Sequence, residues 1–108
     1  MKKNAIWISF DLGVRGDYEE MYAWLANHGA KECGDSLAFI NYEYKKDLLK
    51  ELKVDVEHAI KATKRTRVYA IHLDPDTKKM KGTFLIGGRR VPPWAGFAAG
   101  AQEEDTGA

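Results

Sequence analysis

One carboxylate in this 108-residue chain is set apart by its position. Asp11 comes near the end of the apolar run Ala5-Ile6-Trp7-Ile8-Ser9-Phe10-Asp11-Leu12-Gly13. An acid delivered by an apolar strand to the mouth of the loop Gly13-Val14-Arg15-Gly16 can accept backbone N–H bonds from the 13–16 turn and hold that turn shut. Any reactive role must also be argued from this carboxylate. Alternation puts Ser9 on the same side of the strand as Asp11.

Basic side chains offer a second chemistry. Lys78, Lys79, Lys81, Arg89 and Arg90 lie within thirteen residues that contain no acid. Along a strand Lys79 and Lys81 point the same way, and such an edge can touch phosphates without reading sequence. Arg15, in the loop after Asp11, would add to it. Lysines on an exposed strand also guard against edge-to-edge aggregation, and the spacing suits both purposes. The other cluster, Lys61, Lys64, Arg65 and Arg67, closes a helix, where cations favour the dipole.

Other chemistries find no support. His28, His58 and His72 have no metal-ligand spacing, and neither a nucleophile elbow nor a Ser-His-Asp order is visible. The 13–16 loop is too short for a dinucleotide or phosphate-loop fingerprint. A single Cys33 excludes an intramolecular disulfide and a thiolate cluster.

Composition sets the frame for these residues. With 44% hydrophobic and 31% charged residues the chain is an ordinary globular one, of a length that suits one domain. A net charge of +1 supplies no bulk field toward nucleic acid or membrane, so such binding requires a local patch. No apolar run approaches the ~20 residues that span a bilayer. Met1-Lys2-Lys3-Asn4 is basic but leads into no signal-peptide core, which predicts a cytoplasmic protein.

The elements that must position these groups follow in order. The first strand has Ile6, Ile8, Phe10 and Leu12 on one face and Ala5, Trp7, Ser9 and Asp11 on the other, and reads as buried on both. A helix follows, with Asp17 and Glu20 as a capping box, Tyr18, Met21, Tyr22 and Leu25 at helical spacing, and Gly29 as its stop. Ser36–Tyr44 reads as a second strand, with a short extra strand expected between Ile40 and Tyr44. Residues 46–64 carry the apolar stripe of a second helix, through Leu48, Leu49, Leu52, Val56, Ala59 and Ile60. Arg67–Leu73, the turn Asp74-Pro75-Asp76-Thr77 and Lys79–Ile86 form a hairpin closed by Gly87-Gly88. Beyond residue 90 the prolines of Val91-Pro92-Pro93-Trp94 cannot continue a paired strand. Trp94 and Phe97 are expected to dock on the core or on a partner subunit. Gly100–Ala108 reads as a disordered tail.

Strand, helix, strand, helix, strand, strand predicts an α+β chain. The expected form is a ferredoxin-like α/β sandwich over residues 1–90, with a proline-containing segment at 91–108. Two helices would cover one face of a four- to five-stranded sheet. The open face would show Trp7, Tyr42, Tyr44 and Tyr69, and a homodimer built sheet against sheet would cover it.

The layout resembles the smaller of the two CRISPR adaptation proteins and the stand-alone SinR-like proteins. The residues that carry the resemblance are Ser9-Phe10-Asp11-Leu12, Arg15, Tyr18, Gly29, Asp35-Ser36-Leu37-Ala38-Phe39 and Arg67-Val68-Tyr69-Ala70-Ile71. It spans residues 5–73 and is carried by order and spacing. The resemblance implies a ferredoxin-like homodimer in which the two Asp11 side chains approach across the dyad and serve a divalent metal of a nuclease. That ion would be Mg²⁺, which would polarise a phosphodiester and acidify a bound water, with Ser9 beside Asp11 to assist. It departs from that pattern in having no second acid before Asp17, in the double proline and in the acidic tail. Two functions therefore stand as expectations. One is a nucleic-acid-binding homodimer, with metal-dependent endonuclease activity at Asp11. The other is a non-catalytic ferredoxin-like interaction or regulatory module in which Asp11 is structural.

Overall fold

In the computed structural model, which describes residues 1–99, the chain runs β1 (Lys2–Asp11), α1 (Tyr18–Asn27), β2 (Lys31–Gly34), β3 (Leu37–Tyr44), α2 (Leu48–Ala59), β4 (Arg67–Leu73) and β5 (Met80–Ile86). The tail expected to be disordered lies outside the described residues. The strands form one antiparallel sheet in the order β2-β3-β1-β4-β5, so the strand bearing Asp11 sits at its centre.

One face of the sheet is the core. Ile6, Ile8 and Phe10 of β1 are buried with Ile40, Tyr42 and Tyr44 of β3 and with Val68 and Ala70 of β4. Met21, Trp24 and Leu25 of α1 and Leu48, Leu52 and Val56 of α2 join the same cluster. Removing this apolar surface from water is the main source of stability. The opposite face is open: Trp7, Ser9 and Asp11 are exposed along β1. The expectation of burial on both sides is thus corrected, because both helices contribute their apolar residues to the same core cluster. Tyr42 and Tyr44, expected on the open face, lie in the core instead. Tyr42 donates to Asp55 Oδ2 at 3.0 Å. Its burial, and then that carboxylate, push the phenol pKa well up.

Local details also differ. The extra strand is β2, ahead of β3 rather than within it, and its pairing with β3 shifts between Glu32 and Gly34. Lys31-Glu32-Cys33-Gly34 has no apolar alternation to announce a strand; pairing with Leu37–Phe39 makes it one. The second helix stops at Ala59, earlier than its stripe suggested, and Ile60 is already extended.

The capping box expected at α1 does not form, and reciprocal capping is made at α2 instead, by an acid four residues beyond the cap. Asp17 makes no side-chain cap on α1; its Oδ2 accepts from the Lys61 N–H at 3.0 Å, tying the two helices' neighbouring ends. At α2, Asp47 Oδ1 accepts from the Lys50 N–H. The Glu51 carboxylate takes the N–H groups of Lys45, Lys46 and Asp47, each at 2.8 Å.

Candidate functional site

The open face divides along its length. Toward one end, Phe39, Trp7 and Ile71 stand in register across β3, β1 and β4, and Leu73 and Met80 are paired on β4 and β5. All five are apolar, and Trp7, Ile71, Leu73 and Met80 are exposed. Trp7 and Phe39 meet edge to face, with ring centroids 5.1 Å apart. Toward the other end the face turns polar and basic, with Ser9 opposite Tyr69 and Asp11 opposite Arg67.

That second end holds a cleft of about 760 Å³. Its floor is Ser9, Asp11, Arg67, Tyr69 and Phe84, and its wall is the segment Arg89–Trp94. The chain leaves β5 for the wall at Gly87, whose φ of +76° suits glycine and where a Cβ would come within 2.6 Å of the Thr66 carbonyl oxygen. Gly82 serves the floor in another way. A Cβ there would lie 2.6 Å from Tyr69 Cζ, so only glycine lets the Tyr69 ring lie across β5. Tyr69 then meets Phe84 edge to face at 4.7 Å. The Arg89 guanidinium stacks over both rings, 5.7 Å and 5.6 Å from their centroids. Arg90 Nη2 donates to the Arg65 carbonyl at 3.2 Å.

Asp11 has partners for both oxygens. Arg67 Nη2 donates to Oδ2 at 3.0 Å, and the Gly13 N–H donates to Oδ1 at 3.3 Å. The Arg67 hydrogen bond and then the Gly13 N–H hold the carboxyl below the usual aspartate range. Among the described residues no three His, Cys, Asp or Glu side chains are grouped to hold a metal ion. Magnesium asks for a near-octahedral set of oxygens. A lone carboxylate already paired with a guanidinium does not make that set within one chain.

The basic residues expected to act together are split. Lys78, Lys79 and Lys81 stand at one end of β5 and Arg89 and Arg90 beyond the other, roughly 20 Å of strand apart at ~3.3 Å per residue. Lys81 forms an ion pair with Asp74 Oδ2 at 2.5 Å, an acid that lies just outside the acid-free run. Lys79 precedes the strand and so has no alternation to share with Lys81. Arg15 is exposed in its loop and does not line the cleft. Arg89 and Arg90 do, together with Arg67, which the sequence had placed in a helix-ending cluster. Tyr69, Phe84 and Trp94 complete the lining. The available signals were that Tyr69 alternates with Arg67 on one face and that a glycine interrupts β5. Trp94 and Phe97 do not dock on the chain's own core: they are 73% and 77% exposed.

Three guanidiniums, one carboxylate and three aromatic rings around one cleft suit an anion with flat, stackable parts. No protein-family model, curated protein or solved structure matches the chain.

Proposed function

We propose that this chain is a ferredoxin-like homodimer that binds nucleic acid through the Arg67–Arg89–Arg90 cleft. The strand order β2-β3-β1-β4, with a helix after β1 and another after β3, supports the ferredoxin-like reading, and β5 extends the sheet at its edge. The observation that carries the function is the convergence of Arg67, Arg89 and Arg90 with Tyr69, Phe84 and Trp94 on one cleft. Arginine offers N–H forks to phosphate while its face rests on a ring, as Arg89 does on Tyr69 and Phe84. Asp11 offsets one of the three charges through Arg67, which leaves an excess of two for a polyanion. The apolar half of the same face, centred on Trp7, is the surface for the second copy, with the basic cleft at its rim.

Hydrolysis is not what this geometry favours. It would ask Asp11 to release Arg67 and to share an ion with the second copy's Asp11. The geometry supports binding without cleavage.

Fluorescence anisotropy with labelled RNA and DNA tests the proposal. Affinity should fall steeply with salt, and the double variant Arg89→Glu, Arg90→Glu should bind at least tenfold more weakly at low salt. Equal affinity of wild type and double variant would remove the cleft reading. Mg²⁺-dependent cleavage by wild type that Asp11→Asn abolishes would restore the hydrolytic one.

A further inference from the structure

We infer that Trp94 is a base-stacking platform and that the cleft accordingly takes unpaired nucleotides. The inference rests on the nucleic-acid reading of the same cleft and goes beyond it by assigning how the base half of the ligand is held.

The other two rings of the cleft are already engaged. Tyr69 and Phe84 pack against each other, and Arg89 lies over both. Trp94 lines the same cleft yet keeps 73% of its surface in solvent. The backbone that carries it is set by local structure: the Ala95 N–H donates to the Pro92 carbonyl at 3.0 Å, and the Phe97 N–H donates to the Trp94 carbonyl at 3.1 Å. The rings of Pro92 and Pro93 fix φ immediately before it. A backbone set before the ligand arrives reduces the entropy lost on binding.

Stacking on an indole needs a base with a free face. Bases in a duplex already stack on their neighbours, whereas those of a single strand can be splayed onto an aromatic side chain. With guanidiniums and the indole lining one cleft, phosphates and base have separate partners. Charge complementarity from Arg67, Arg89 and Arg90 names a polyanion as the occupant, and the indole names its unpaired bases.

The test compares a labelled oligouridine, an oligothymidine and a duplex of equal length. Wild type should bind both single strands more tightly than the duplex, with partial quenching of tryptophan emission. Trp94→Ala should weaken single-strand binding roughly 5- to 150-fold and leave the salt slope unchanged, while Trp94→Phe retains most of the affinity. Arg90→Ala should instead lower the slope by about 0.7. Trp94 lies outside the core, so circular dichroism should show the variants folded. Equal affinity for duplex and single strand, or unchanged binding by Trp94→Ala, overturns the stacking assignment. If the arginine variants still weaken binding in that case, the nucleic-acid reading survives. Absence of binding to all three probes at low salt removes that reading as well. Were Trp94→Ala to convert a dimer into a monomer without altering affinity, Trp94 would belong to the subunit contact instead, and the assignment would fall.

Discussion

Asp11 and Arg67, 56 residues apart in sequence, face each other directly across the β1–β4 ladder, with Arg67 Nη2 3.0 Å from Asp11 Oδ2. The pair is half exposed on the Asp11 side. Its contribution to stability should therefore be small, about 0.2–1 kcal/mol, and weaker at high salt. Asp11→Ala should unfold in urea within about 1 kcal/mol of wild type. It should also bind polyanions several-fold more tightly at low salt, because Arg67 is released to the cleft. A loss of affinity in that variant would contradict the role given to Arg67.

Gly82→Ala puts a methyl into the Tyr69 ring and must move it. Overpacking of this kind costs about 1–3 kcal/mol. The displaced ring should also take the Arg89 stack with it, so binding in the cleft falls alongside stability. Thermal melts and anisotropy on the same preparation check both effects, and an unaltered protein would show that β5 adapts freely.

The start of α2 depends on two acids. Asp47→Ala should cost about 1 kcal/mol in urea unfolding, the usual effect of losing an N-cap. Glu51→Ala removes the acceptor for three backbone N–H groups and should lower the urea midpoint as well. Substitution of Glu20, three residues after Asp17 in α1 where no side-chain cap forms, should have little effect.

Acid should destabilise the protein in two stages. Burial lowers the His72 pKa, so the folded imidazole stays neutral where the unfolded one takes up a proton. Stability from this source is full above about 6.5 and declines as pH falls below it. The Lys81 ammonium, and then the Asp76 N–H, hold Asp74 down to about 2. Its contribution is full above the ordinary aspartate value near 4 and is lost as pH falls from there toward about 2. Glu51, held low by three backbone N–H groups, adds to the second stage. Melting temperatures measured from pH 8 to pH 2 should show both stages, with the upper one reduced in His72→Leu.

The open face gives a prediction about assembly. On the proposed sheet-to-sheet contact, wild type should scatter light as a dimer, and Trp7→Glu, which places a charge at the centre of the apolar half, should scatter as a monomer. A wild-type protein that is monomeric at high concentration would remove the subunit contact.

Much of the framework was legible in the chain itself. The apolar run from Ala5 to Leu12 specified a first strand, and the period of two specified the side on which Asp11 and Ser9 stand together. The apolar stripe from Leu48 to Val56 specified α2, and Asp74-Pro75 specified the hairpin of β4 and β5. These signals are local, because side-chain periodicity and turn chemistry are properties of neighbouring residues. What only the tertiary structure decided is which face the helices cover, and hence that Tyr42 and Tyr44 are buried while Trp7 is not. It also decided that Asp11 meets Arg67, that Lys81 meets Asp74, and that Arg89 and Arg90 leave the lysines to join Tyr69 and Trp94. Those are matters of strand order and register, set by packing between segments tens of residues apart, and no local pattern encodes them.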